Sequence, residues 1–279
     1  MDKIKQTIMD KIKQTIKEYY NTEVVTEWER LLHHPVEYAI TCRYIDRYIE
    51  PNTKVLDIGG GPGRYSLYLA EKGCDVTLID LSDVNIAFAK ERADEQHLLL
   101  NTICGDACVA DSLVCDQYDH ILLMGPLYHL PDEADRIKAI NAAINLLKKG
   151  GLLFSAFISS YAAVWDFLVR IPENILDPEQ EKYYALMSKD LDFSGISFTQ
   201  SYCIRPQGVN KFMEQFPLDK LHLVGCESIL ALRNRELLQE PPEVLQKWID
   251  FAVELCERES LLSMSHHFLH IGRKINENA

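Results

Sequence analysis

Residues 55–65 read Val-Leu-Asp-Ile-Gly-Gly-Gly-Pro-Gly-Arg-Tyr, and this run constrains the fold more than any other part of the chain. Val55, Leu56 and Ile58 belong to an apolar stretch of the kind expected of a strand buried on both faces. Gly59, Gly61 and Gly63 then fall at i, i+2 and i+4, where such a strand must turn sharply into a helix. Glycine admits positive φ and lets a ligand come within contact distance of the main chain, and the amides at a helix start supply donors. The pattern is that of a nucleotide-cofactor loop.

The spacing narrows the ligand. A dinucleotide fingerprint places its glycines at i, i+2 and i+5. Here the i+5 position is Arg64 counted from Gly59 and Ser66 counted from Gly61. Asp57, two residues before the first glycine, would repel a pyrophosphate but suits a ligand carrying an ammonium group. A cationic, phosphate-free nucleoside fits this loop better than a nicotinamide dinucleotide.

Downstream, strand and helix patterns alternate. Strands are predicted at residues 54–58, 75–80, 98–104, 118–124 and 151–158, with helices at 65–72, 83–96 and 133–147. Such alternation implies a parallel sheet covered by helices, and ligands of such sheets bind beyond the carboxyl ends of the strands. The polar candidates fall at those ends: Asp80 closes the second strand, Gly105-Asp106-Ala107 the third, and Met124-Gly125-Pro126-Leu127-Tyr128-His129 follows the fourth.

The run Asp57-x-Gly59-x-Gly61-x-Gly63 resembles the first motif of class I S-adenosylmethionine (SAM) dependent methyltransferases, and the resemblance extends along most of the chain. It implies an α/β fold: a doubly wound, mostly parallel, seven-stranded Rossmann-like sheet whose last strand is antiparallel, with an N-terminal helical cap and an insertion after the fifth strand. It also implies SAM as cofactor and S-adenosylhomocysteine (SAH) as product. Asp57 with Gly59, Gly60, Gly61 and Gly63 would then hold the amino acid portion, Asp80 the ribose hydroxyls, Leu81 an adenine face, and Asp106 with the amide near Ala107 the adenine edge. The main chain at Met124 would hold the methionine part. Tyr128 and His129 would face the acceptor, His129 as the best-placed general base, since imidazole titrates near neutrality. A satisfied structural histidine is the competing reading of His129. Tyr19, Tyr20 and Arg30 are cap residues that would reach cofactor or acceptor by the same analogy.

On this reading residues 1–50 form the helical cap, 51–158 the first part of the SAM-binding core, 159–205 an insertion over the acceptor pocket, and 206–279 the last two strands of the core. The insertion carries Tyr161, Trp165, Phe167, Tyr183, Tyr184, Phe193, Phe198 and Tyr202, an aromatic density that suits a lid excluding water or a dimer contact. The chain opens with the octapeptide Met-Asp-Lys-Ile-Lys-Gln-Thr-Ile written twice. Isoleucines at 4, 8, 12 and 16 give this segment one apolar helical stripe, with no function assigned to the duplication itself. His266 and His267 read as a pair of surface histidines on the last strand.

Composition bounds the partners. The net charge of −13, without a long basic cluster, argues against nucleic acid. No stretch has the length and apolarity of a membrane span or a signal peptide, so a cytoplasmic protein is expected. Eight cysteines without a C-x-x-C pair read as reduced thiols; Cys104, Cys108 and Cys115 lie close in sequence, but no metal is assigned. The expected function is methyl transfer by in-line displacement to an O, N or S atom of a small-molecule acceptor, with a homodimer compatible with the apolar cap and insertion. The alternative is a SAM-binding regulator without catalysis.

Overall fold

The computed structural model describes residues 2–197 and 199–275, so Phe198 of the aromatic insertion lies outside the described residues, as do the side chains of Ile4 and Ile8. Three helices come first: α1 (Asp2–Thr22), α2 (Val24–His33) and α3 (Pro35–Tyr48). The alternating core follows as β1 (Lys54–Ile58), α4 (Arg64–Glu71), β2 (Asp75–Asp80), α5 (Asp83–Glu95), β3 (Asn101–Cys104), α6 (Ala110–Leu113), β4 (Tyr118–Leu123), α7 (Glu133–Leu146) and β5 (Leu147–Ser159). The insertion folds as α8 (Ala162–Arg170), α9 (Glu181–Met187) and a hairpin of β6 (Phe193–Ile196) and β7 (Gln200–Ile204). The chain ends with α10 (Pro206–Met213), β8 (Leu218–Gly225), α11 (Asn234–Leu237), α12 (Pro242–Leu255) and β9 (His267–Lys274).

The central strands run β3-β2-β1-β4-β5, all parallel. Beyond β5 the antiparallel β9 comes next, and β8 pairs with β9 to complete seven strands. The expected sheet is therefore present, and the β6–β7 hairpin adds two strands to it. Because side chains alternate along a strand, the sheet has two apolar faces. Leu56, Ile121, Leu153 and Phe157 pack with Ile140 of α7 and Phe212 of α10. On the other face Val55, Leu122, Phe154 and Ile271 pack with Ile40 and Ile45 of α3 and Ile249 of α12. Thus α3 belongs to a core layer, while α1 and α2 are left to cross the carboxyl ends of the strands.

The length of β5 positions the hairpin. Its pairing with β4 ends at Leu123–Ser155, yet β5 continues to Ser159, and β7 pairs in parallel with Ile158 and Ser159. On the opposite edge Ile158 pairs with His267 of β9. The hairpin must therefore lie on the β4 side, directly past the point where β4 stops. Strand boundaries differ from the sequence reading mainly at two points: β3 begins at Asn101 rather than 98, and β5 begins at Leu147 rather than 151.

Candidate functional site

The turn after β1 is built as its glycines require. Gly59, Gly61 and Gly63 have φ of +70°, +58° and +85°, a region that costs other residues strain. A Cβ on Gly59 would stand 2.5 Å from the Pro126 ring, and one on Gly60 2.3 Å from Asp57 Oδ2. The loop is thus pressed between its own acidic residue and the segment after β4. The Gly59 amide donates to Ile79 O at 2.6 Å, fastening the loop to β2.

Asp57 is buried at 1% exposure and accepts from Ser66 Oγ at 2.7 Å. Burial pushes its carboxyl up to about 7, with the Ser66 hydrogen bond opposing and the nearby Asp80 adding. Asp80, also buried, uses both oxygens: Oδ2 accepts from the Gly61 amide at 2.9 Å, and Oδ1 from the Ser82 amide at 2.9 Å and Asn85 Nδ2 at 3.1 Å. The helix cap of α5 is Ser82, whose Oγ accepts from the Asn85 amide at 3.0 Å. Asp106 caps the short turn after β3 through the Cys108 amide at 2.9 Å, leaving Oδ2 to face α1.

These groups surround one cavity of about 150 Å³, partly open to solvent. Of the cofactor candidates, Asp57, Gly59, Gly60, Gly61, Asp80, Leu81, Asp106, Ala107 and Met124 line it, as do Tyr128 and His129. Gly63 is set back, packed against Ala89 of α5. Tyr20 and Arg30 reach the cavity, whereas Tyr19 is not among its lining residues.

The roof is α1. Lys13, Ile16, Lys17 and Tyr20, one helical face at i, i+3, i+4 and i+7, close over the cavity. Lys13 Nζ bonds Asp106 Oδ2 at 2.5 Å, Lys17 Nζ lies 2.6 Å from Asp83 Oδ1, and Ser82 Oγ donates to Asn21 Oδ1 at 2.6 Å. Burial pulls the Lys13 ammonium down, but the bond to Asp106 and the surrounding acids outweigh it, and its pKa is raised. The second copy of the octapeptide thus supplies Lys13 and Ile16, which composition alone left without a role. The readable signal was the spacing of Lys13, Ile16, Lys17 and Tyr20.

None of the insertion's described residues lines the cavity. Its aromatic rings satisfy one another, as in the Tyr183–Tyr184 and Tyr183–Phe193 pairs, and Trp165 Nε1 donates to Ser263 O at 3.0 Å. Its reach toward the site is through main chain, the Gln200 carbonyl lying 3.3 Å from His129 Nδ1.

His129 is buried, and burial pushes its imidazole down to about 4. Its Nε2 lies 2.6 Å from the Tyr20 hydroxyl, with the ring edge-on to Tyr20. Beside it, Arg30 binds Glu37 through two nitrogens at 2.7 and 3.1 Å and lies 3.3 Å from Glu27. His266 and His267 are not the expected surface pair: His267 Nδ1 lies 2.6 Å from Glu227 Oε1, and both main-chain amides donate to Glu227 Oε2. Among the described residues, Glu37, Glu227 and His267 are the one group whose potential metal-ligand atoms all lie within 4.8 Å of one another, and the close cysteines are not such a group. Arg30 and His267 already supply that group's positive charge. Burial opposes charge there, but Arg30 and His267 hold Glu37 down at about 2, and Glu37 and Glu227 hold His267 raised.

Residues 55–151 match a family model described as "Methyltransferase domain". The ubiquinone biosynthesis O-methyltransferase of Coxiella burnetii (strain RSA 493 / Nine Mile phase I) is 36% identical over 121 residues, covering 43% of this chain and 50% of the relative. The chain thus spans about half the length of the curated relatives it matches. A SAM-dependent methyltransferase from Clostridium acetobutylicum superposes with a TM-score of 0.59 at 13% identity, over 91% of this chain and 99% of that one. The 1,6-didemethyltoxoflavin-N1-methyltransferase of Burkholderia thailandensis, solved with its substrate and SAH, gives 0.60 at 12% identity, over 94% and 88%. At such identity these structures speak for the fold alone.

Proposed function

We propose that this chain, whose residues 55–151 match a methyltransferase domain, is a class I SAM-dependent enzyme that transfers a methyl group from SAM to a hydroxyl oxygen of a small-molecule acceptor. The observation that carries the reading is the single cavity in which the glycine turn, Asp57, Asp80 and Asp106 meet Tyr20, Tyr128 and His129. Oxygen is favoured over the other acceptor atoms by the sequence relatives, which are named as O-methyltransferases.

The residues present fit the cofactor. Gly59 and Gly60 leave a cradle that a Cβ would fill, and Asp57 stands at its edge as partner for an ammonium group. Asp80 accepts three hydrogen bonds from protein and, with about two lone pairs on each oxygen, keeps capacity for a ribose hydroxyl. Asp106 and the main chain at Ala107 offer an acceptor and a donor to an adenine edge, and Leu81 an apolar side chain for its face. Met124 and Gly125 would carry the chain past the methionine portion.

Bound in this way, the cofactor supplies a methyl group already activated on a sulfonium. What the chain must add is alignment and dryness, and positioning of this kind can contribute about 7–11 kcal/mol in ideal cases. The α1 roof, the half-buried Tyr128 and the buried His129 provide the dry wall. A SAM-binding regulator without catalysis is the reading to exclude. Calorimetric titration with SAM and SAH, followed by methyl transfer to a panel of small hydroxylated aromatics, tests the proposal. Micromolar binding with turnover supports it; binding without turnover on any acceptor leaves the regulator, and no binding removes both.

A further inference from the structure

The mechanism above leaves one proton unplaced. A hydroxyl oxygen that gains a methyl must lose its hydrogen, and the cavity has to receive it. The candidates on the lining are Tyr20, Glu27, Tyr128 and His129, since Asp57, Tyr65, Asp80 and Asp106 stand with the glycine turn, the start of α4 and the ends of β2 and β3. Glu27 is engaged by Arg30 at 3.3 Å.

Hydrogen-bond directions single out one pair. The Gln200 carbonyl can only accept, so the His129 nitrogen facing it, Nδ1, carries the hydrogen. In a neutral imidazole Nε2 then holds a lone pair, and the Tyr20 hydroxyl 2.6 Å away must donate to it. The Tyr20 oxygen keeps its lone pairs for another donor. Three separate parts of the chain set this order: α1 brings Tyr20, the turn at Pro126–His129 brings the imidazole, and the hairpin past the end of β4 brings the carbonyl.

We propose that Tyr20 is the catalytic residue that receives the acceptor's proton, with His129 and the Gln200 carbonyl behind it as positioning groups that fix the direction of transfer. The proposal rests on the O-methyl reading above and adds to it the class of acceptor: a hydroxyl that arrives protonated. As the new carbon–oxygen bond forms, the acceptor O–H bond breaks and its proton goes to Tyr20 Oη. The proton already on Tyr20 moves to His129 Nε2, and the imidazolium is held by the Gln200 carbonyl. The positive charge lost with the donated methyl reappears on His129, so the buried cavity keeps its total charge. Burial keeps the Tyr20 hydroxyl far above its usual pKa, so it passes a proton on rather than standing as a phenolate.

Two measurements test this, one of them independent of activity. Nitrogen NMR of histidine-labelled protein should show His129 as the Nδ1–H tautomer, with the Nε2 resonance moved in Tyr20→Phe. An Nε2–H tautomer, or no movement, overturns the proposal. The second compares wild type, Tyr20→Phe and His129→Gln with catechol, and with pyridine as a proton-free acceptor. Methyl transfer to catechol should fall about 10²–10⁴-fold in both variants while SAH affinity by calorimetry stays within about threefold. Unchanged catechol turnover in Tyr20→Phe overturns the proposal, as does SAH binding in wild type with turnover of pyridine alone or of neither acceptor. Failure of wild type to bind SAM or SAH is a different result, and removes the function reading itself.

Discussion

Asp57 is a carboxyl that burial and the nearby Asp80 push up while its hydrogen bond from Ser66 pulls it down. Burial raises it to about 7, and among the described residues no positive side chain offsets that rise. A ligand ammonium placed beside it would favour the ionised form and pull that pKa down. Near pH 6.5 the empty protein holds a large fraction of this proton, so binding of SAM should release it. The expected outcome is a calorimetric binding enthalpy that changes with the ionisation enthalpy of the buffer at pH 6.5, fades at pH 8.5, and loses its buffer dependence in Asp57→Asn. The neighbouring glycine is as exacting. A Cβ on Gly60 would lie 2.3 Å from Asp57 Oδ2 and 2.6 Å from Leu78 Cδ1, both in the packed interior. Gly60→Ala should therefore cost about 1–3 kcal/mol of stability, read by denaturant midpoint, and weaken SAH binding as the loop is pushed out of shape. Both residues were legible before the fold was known, because a strand, a turn and a helix start are local in sequence. The direction of the Tyr20–His129 bond was not, since it depends on a carbonyl 71 residues away.

Among the elements, α1 carries the least local information and the most geometry. Its four-residue isoleucine repeat announces an amphipathic helix, but not what that helix covers. Its placement comes from polar contacts at three points along the pocket rim: Lys13 on Asp106, Lys17 on Asp83 and Asn21 on Ser82. Two of these pairs are part exposed, and solvent screening keeps such ion pairs weak. At its rim the roof is thus held by weak contacts that can open without disturbing the sheet, while the buried Ile16 and the Tyr20–His129 bond hold it over the cavity. Lys13→Ala with Lys17→Ala should leave the thermal midpoint nearly unchanged while raising both the association and dissociation rates of SAH in stopped-flow fluorescence. Rates equal to wild type would mean that α1 does not gate the cavity. The β6–β7 hairpin teaches the same lesson in another form. Its aromatic residues look like a lid from composition, yet Phe193 packs on Tyr183 of α9 and Tyr202 lies against the Arg136 guanidinium of α7. What matters for the site is that β5 outlasts β4 by four residues, a register relation that a single strand's pattern cannot reveal.

At the scale of the whole molecule, the buried titratable groups set how the fold responds to acid. Burial holds the imidazoles of His120, His129 and His270 down at about 4, and lowers His34 and His266 as well. In the unfolded chain each returns to about 6.5. Between pH 6.5 and 4 the unfolded state therefore binds protons that the native state refuses, and stability falls as pH falls through that window. Buried carboxyls work the other way. Asp57 at about 7, with Asp80 and Glu27 also raised by burial, contributes stability that is present below the usual carboxylate range and lost as pH rises. The ion cluster adds little inside the window. His267, raised by Glu37 and Glu227, contributes below pH 6.5 and is lost as pH rises through its native pKa, whereas Glu37 contributes above pH 4.5 and is lost only as pH falls through about 2. Five lowered imidazoles oppose three raised carboxyls, so the net expectation is destabilisation on acidification from pH 6.5 to 4. Removing one imidazole should show as a change of slope. His270, 2% exposed on β9 and paired in register with Ser155 of β5, is away from the cavity lining and suits the test. In His270→Gln the urea-unfolding free energy should fall less steeply between pH 6.5 and 4.5 than in wild type, whatever its offset at pH 8. Parallel slopes would show that the native state lets this histidine take up its proton.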